Sequence, residues 1–368
     1  MAHYFEYADK DATLIRGARE VATGSQKNTG MDEILEVGKK FESGTTSFNE
    51  INRAVIQFDV STISASVADG TMIPGTKFYL NLYDAGATEL NRDNTLYAYT
   101  VSQSWDEGDG KHTDTPQTEN GVSWRYRTAD TGSEWGHSDS GSWGGTYYSG
   151  SAYTGSQTFN KNESIDMRMD VTNIVNHWIS GSVPNEGFLI RRALNEESSS
   201  THSGNFKFFS SDTHTIFQPR LEAVWNDSVW STGSLGPLTS TQVERLTINL
   251  ENFKPRYKKG SLSTIRVKGR EKYPARTHSV TSSYMDVKYL PSGSSFYSIK
   301  DSRTQTTVIP FGTGSVISCD SSGNYFNLRT EGLEVERVYE IQFKIESGSG
   351  INKTVQYFDN HDQFLMER

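Results

Sequence analysis

The segment from Asp170 to Arg192, DVTNIVNHWISGSVPNEGFLIRR, changes hydrophobic period once. Val171, Ile174, Val175 and Trp178 fall at i, i+3, i+4 and i+7, one face of a short helix. Asp170 is expected to cap that helix by accepting a backbone N–H. Gly181 stops it and Pro184 follows. Asn185-Glu186-Gly187 then predict a turn, and Phe188-Leu189-Ile190 a buried strand.

Elsewhere the pattern alternates, as strands do. Ala12 to Ile15, Ile34 to Gly38, Arg53 to Val60, Lys77 to Tyr83 and Leu96 to Val101 predict strands before the helix. Phe206 to Phe209 and Arg220 to Trp225 predict strands after it. Residues 102–160 break the rule: they are polar and Gly-rich, sustain no period, and carry Trp105, Trp124, Trp135 and Trp143. A loop that long inside a domain is expected to be functional or ordered by its own aromatics. Residues 229–242 read as a linker by composition, which divides the chain into domains 1–228 and 243–368. In the second domain, alternation predicts strands at 246–250, 265–267, 284–290, 308–311, 325–328 and 339–345, then a final strand with a polar tail. The expected class is all-β: a β-sandwich with one short helix, followed by an immunoglobulin-like β-sandwich.

Composition fits that class. Apolar residues make up 34% of the 368, so large aromatics must build much of the cores. The lone cysteine, Cys319, excludes an intrachain disulfide. The first residues show neither the basic nor the apolar region of a signal peptide, and no apolar run is long enough for a membrane span. Net charge is −13 over residues 1–235 (18 Lys/Arg, 31 Asp/Glu) and +4 over 236–368 (18 and 14). The two parts are therefore expected to meet different neighbours.

The order of several short pieces resembles a family. Asp11-Ala12-Thr13, Arg53 to Val60, Leu82-Tyr83-Asp84 and Ser104-Trp105-Asp106-Glu107-Gly108 come first. Asp170-Val171-Thr172, Asn185 to Phe188, Phe209 to Asp212 and Pro219-Arg220-Leu221 follow. Over about residues 10–225 the chain resembles the DNRLRE-type carbohydrate-binding-like modules, which implies a jelly roll. The second domain, through Val267 to Pro274, Tyr297 to Asp301 and Cys319 to Phe326, looks like β-domains of tailed-bacteriophage virion proteins. The combined resemblance implies a non-enzymatic structural component of the virion. Tail, baseplate or neck is expected ahead of capsid decoration, with other virion proteins and further copies of itself as partners. The alternative is a host-surface adhesin that binds glycans.

Candidate chemistry lies in four groups. Trp105, Trp124, Trp135, Trp143, Tyr147, Tyr148 and Tyr153 are expected to pack the loop as a satellite core or line a subunit interface, ahead of stacking on sugars. A basic run, Lys254, Arg256, Lys258, Lys259, Arg266, Lys268, Arg270, Lys272 and Arg276, faces only Glu251 and Glu271 in sequence. No nucleic-acid signature accompanies it, so an acidic protein neighbour is expected. Asp106, Glu107 and Asp109 are expected to form a solvated acidic loop; Ca²⁺, with Asp9 and Asp11 completing the site if the fold brings them near, is the less expected reading. No other cofactor is expected. The histidines, among them His112, His137, His177, His202 and His214, form no zinc spacing, and Glu163, Asp166 and Asp170 establish no glycosidase pair. No catalytic residue is assigned.

Overall fold

The computed structural model describes residues 2–16, 26–41, 49–88, 90, 92–136, 143–160, 162–199, 201–238, 246–273, 288–348, 350 and 353–368. The architecture is all-β. It divides into two compact units: Phe5–Met72 with Lys77–Glu222, and Ala223–Arg368 with Met1–Tyr4 and Ile73–Thr76.

The first unit is built on β1 (His3–Arg16), β2 (Ile34–Phe41), β3 (Asn49–Phe58), α1 (Ser61–Ala68), β4 (Lys77–Leu82), β5 (Asn94–Thr100), β6 (Tyr126–Thr128), β7 (Ser133–Glu134), β8 (Thr154–Phe159), β9 (Met167–Asp170), α2 (Thr172–Ile179), β10 (Phe188–Arg192), α3 (Leu194–Ser198), β11 (Gly204–Phe209) and β12 (Arg220–Val224). The main path runs β8-β5-β10-β3-β1-β12-β4-β9, with β2 joining β3 to β11. The α2–β10 segment folds as the periodicity predicts: Val171, Ile174, Val175 and Trp178 are all buried. Trp178 lies 4.7 Å from Phe188, which meets Phe58 edge-on at 6.0 Å. Each such side chain, fully buried, contributes about 1.5–3 kcal/mol. The helix begins one residue later than expected. Asp170 Oδ1 accepts the N–H of Thr172, while Val171 takes the cap position.

Registers show why β10 is apolar on both faces from Phe188 to Ile190. Leu189 pairs with Val55 and Tyr99, and Val55 pairs with Ala12, forming one row across the sheet. Ile56, Phe188 and Asp11 form the adjacent row on the opposite face. Both rows are buried apart from the partly covered Tyr99. A strand covered on both faces reads as a continuous apolar run rather than as alternation.

The second unit holds β13 (Leu246–Glu251), β14 (Arg256–Lys258), β15 (Leu262–Glu271), β16 (Ser295–Asp301), β17 (Thr307–Ile309), β18 (Ser318–Asp320), β19 (Gly323–Arg329), β20 (Val338–Ser347) and β21 (Thr354–Glu367). One sheet has the order β13-β15-β19-β18 and the other β14-β21-β20-β16-β17. Tyr297 stacks on Phe326 at 4.3 Å within the core, and Phe326 meets Phe343 edge-on at 6.2 Å. Cys319 is buried and free.

Several elements depart from the sequence reading. α1 and α3 are additional helices; α1 buries only Ile63, so no apolar stripe announces it. The expected final strand is present as β21, but it runs through the expected polar tail to Glu367, pairing along β20 and, in parallel, with β14. Its inward positions include Thr354, Gln356 and Asp362, and only Phe364 and Met366 are buried, so the alternation is hidden. Residues 229–238, expected as linker, carry backbone bonds within the second unit. Cys319 N–H donates to Val229 O (2.9 Å), Ser231 N–H to Cys319 O (2.9 Å) and Leu238 N–H to Tyr289 O (3.2 Å). Such bonds need no apolar side chains, so composition does not reveal them. Residues 239–245 and 284–287 lie outside the described residues, as do His137 and Arg276.

Candidate functional site

The Trp-rich stretch is the outer cover of the first unit's central sheet. Trp105, Trp124 and Trp135 pack with Val101 and Val122 onto Ala12, Leu14, Ile51, Val55 and Leu189, and Tyr99, Trp143 and Tyr147 close the margin. The three tryptophans are 1%, 3% and 2% exposed, so none offers a face to a sugar. Their polar edges are satisfied inside. Trp105 Nε1 donates to Glu186 O at 2.9 Å, and Trp135 Nε1 to Ser123 O at 3.0 Å. Gly144 lets the chain pass under Trp124: its φ is +97°, and a Cβ there would sit 2.7 Å from the indole. Asn28 ties the start of the stretch together. Its side-chain amide donates to Glu107 O and Val122 O, and its Oδ1 accepts from Gly110 N–H at 2.7 Å.

Half-buried rings remain at the rim. Tyr148 and Tyr153 lie 5.5 Å apart, and Tyr153 faces His177 of α2 at 4.9 Å. Tyr99 meets Tyr147 at 4.4 Å.

Beside the tryptophans lies a buried ion network. Glu197 of α3 accepts from Arg53 at 2.8 Å and from Arg191 at 2.5 Å. Arg53 also donates to Gly144 O and lies 4.7 Å from the Trp124 ring centre. The network pins α3 and the 143–147 segment to β3 and β10.

The acidic group is partly assembled. Glu107 Oε1 accepts the N–H of Asp11, 96 residues away, at 2.7 Å. Asp11 Oδ2 accepts the N–H of Ser211 at 2.7 Å, which brings in Asp212. Asp109 instead bonds Asn120 at the surface. Lys10 turns its ammonium to Trp105 O and over the Trp105 ring. Burial, with Glu107 and Asp212 nearby, pushes the Asp11 carboxyl up to about 8. Burial, with Asp212 and Asp9 nearby, pushes Glu107 up to about 7. An acid whose folded pKa exceeds its unfolded one holds extra protons in the native state. Its contribution is present below the ordinary value of 3.8 and is lost as pH rises towards about 8. The melting temperature is therefore expected to fall between pH 5 and 8, and Asp11→Asn to flatten that fall; differential scanning calorimetry across the range checks it.

The basic run separates into two groups. Lys268 pairs with Glu251 at 2.5 Å and Arg266 with Asp320 at 2.6 Å. Arg270 and Lys272 are exposed at the end of β15 and just beyond it. Lys254, Arg256, Lys258 and Lys259 stand exposed on and around edge strand β14. Arg256 meets Glu367 at 2.9 Å, whereas the three lysines have no carboxylate partner among the described residues.

Glu163, Asp166 and Asp170 serve local structure: Asp166 accepts from Asp84 N–H, Asp170 accepts from Thr172 N–H just before α2, and Glu163 lies in a turn closed on Asn160. One cluster escaped the sequence reading. His361 Nδ1 lies 3.1 Å from Glu340 Oε1 and 3.4 Å from Asp359 Oδ1, where two extra residues bulge from β21. The run Asp359-Asn360-His361-Asp362 was its only signal, and the bulge that turns it onto Glu340 is invisible in sequence.

No family model and no curated protein matches the chain. Among solved structures, it is similar to a DUF4785 family protein from Legionella pneumophila at 6% identity and a TM-score of 0.20. All of this chain is covered, and it spans 62% of that one. A second likeness is to the Fcho1 Mu homology domain of Danio rerio, with a bound Eps15 peptide, at 7% identity and a TM-score of 0.12, covering 94% and 93%. At such TM-scores neither carries an argument. No helix among the described residues is long and apolar enough to cross a membrane.

Proposed function

We propose that this protein is a non-enzymatic structural component of a tailed-phage virion, acting by protein–protein docking in the tail, baseplate or neck. On this reading the first unit is a jelly roll and the second an immunoglobulin-like sandwich. The crossovers β5-β10-β3-β1 and the paired sheets of the second unit support those assignments. The observation that carries the docking mode is the cationic edge at β14. Lys254, Lys258 and Lys259 have no carboxylate partner among the described residues and lie in a part of net charge +4, while residues 1–235 carry −13. Opposed fields of this kind orient partners and speed encounter. The acidic first unit of another copy, or an acidic virion neighbour, is the surface it fits.

Sedimentation velocity tests the self-docking form. Association is expected in low salt, weakening steeply above about 0.15 M as screening shortens to about 8 Å. It is expected to be lost in a Lys254→Glu, Lys258→Glu, Lys259→Glu variant. Association that ignores both salt and the triple substitution contradicts it.

The adhesin reading keeps one specific support, the Tyr148, Tyr153 and His177 rings at the rim. A glycan array with wild type and Tyr148→Ala separates the two: retained sugar lost on substitution favours the adhesin.

A further inference from the structure

We propose that Glu340, Asp359 and His361 bind a zinc ion at the bulge in β21. The register brings them together. Gln342 pairs with Asp359 and Ile341 with Asp362, so Asn360 and His361 are the extra residues. Asn360 turns to the opposite sheet and donates its side-chain amide to Ile248 O at 2.8 Å. His361 brings Nδ1 to 3.1 Å from Glu340 Oε1 and 3.4 Å from Asp359 Oδ1. One donor atom from each of the three residues lies within 4.8 Å of the other two. With bonds of about 2.0–2.2 Å, two tetrahedral ligands of one zinc stand roughly 3.3–3.6 Å apart. The two His361 contacts fall at or just under that spacing.

Burial of Glu340 points to a cation. Its side chain is only 8% exposed, and among the described residues its carboxylate is bonded by no ammonium, guanidinium or backbone N–H. It faces the Asp359 carboxylate and His361 Nδ1 instead. That nitrogen carries at most one hydrogen, which serves one carboxylate. A buried carboxylate set beside a second one is costly unless an opposite charge is shared between them. Asp359 is already oriented for the role: Gln342 Nε2 donates to its Oδ2 at 2.8 Å. The donor set selects the ion. Calcium takes six to eight oxygens and magnesium keeps an octahedral, water-rich shell, whereas one imidazole with two carboxylates suits zinc. Asp359 and His361 are 40% and 78% exposed, so the fourth position opens to solvent. Bound zinc would clip the β21 bulge onto β20. This site goes beyond the proposed place in a virion and does not depend on it.

Calorimetric titration with Zn²⁺ and thermal melts of the full chain, free of any histidine tag and stripped with EDTA, test the proposal at neutral pH. One Zn²⁺ per chain is expected to bind. A melting transition should rise by roughly 5–10 °C at a concentration about 100-fold above Kd, reversibly with EDTA and far less with Ca²⁺ or Mg²⁺. His361→Ala and Asp359→Asn change exposed positions, so both should fold, and each should weaken Zn²⁺ binding by about tenfold or more. His214→Ala, at an exposed histidine of the first unit, should leave binding unchanged. No heat and no shift with excess Zn²⁺ would overturn the proposal. So would binding that survives both His361→Ala and Asp359→Asn, which would mean an adventitious ion only. An equal response to Ca²⁺ would overturn the choice of zinc.

Discussion

Trp135→Ala is expected to destabilise the first unit by about 3–5 kcal/mol, the usual cost of truncating a fully buried tryptophan. The side chain is 2% exposed and lies among Leu14, Val55, Trp105, Trp124 and Leu189. Its Nε1 bond to Ser123 O would go as well. Trp135→Phe should cost less, since the ring volume is mostly kept, although the buried Ser123 O loses its indole donor. Urea unfolding followed by fluorescence and far-UV circular dichroism measures both. A surface platform for sugars predicts the opposite: less than about 0.5 kcal/mol, because exposed side chains away from special features carry little stability. The experiment therefore decides whether the stretch is cover or binding face. It also bears on β10 and β3, whose outer rows would be bare without it.

Glu197→Ala should cost about as much, roughly 3–5 kcal/mol, for a different reason. The carboxylate joins Arg53 and Arg191, whose side chains are 3% and 1% exposed. Removing one partner of a buried pair leaves charge in a poorly solvated place, and that penalty exceeds what the pair itself contributed. Glu197→Gln should fall between, because the amide oxygen can still accept while the charge is gone. Glu196→Ala is the internal control. Its carboxylate is 18% exposed and meets Arg192 at 3.1 Å, and the buried Arg192 keeps Asn94 Oδ1 and the Ser203 and Gly204 carbonyls as acceptors, so a smaller loss of about 1–2 kcal/mol is expected. If Glu197→Ala proves as mild as Glu196→Ala, solvent reaches the network and the 143–147 segment is not a tight lid.

Sequence made α2 and β10 legible because their signals are local: a helical face, a Gly stop and an apolar run. The strands of both units were legible wherever alternation placed apolar residues inward. The full length of β21 was not, because polar side chains occupy several inward positions and the pairing there is carried by backbone. The tryptophans were visible as a set, but their direction was not. Burial by a stretch without period depends on Arg53, Gly144 and Asn28, each contacting it from afar or through backbone. Asp11 and Glu107 were both singled out, yet only a hydrogen bond spanning 96 residues joins them. The basic run looked uniform in sequence; folding neutralises Arg266 and Lys268 and leaves the β14 lysines bare.

The proposed role rests finally on where the protein resides. Quantitative mass spectrometry of purified particles, paired with density for the intact assembly, measures it directly. The chain is expected in several copies per particle, with density for its two units in the tail, baseplate or neck and an acidic surface against β14. Particles that lack the chain, with all of it recovered as free protein in the lysate, would contradict the account.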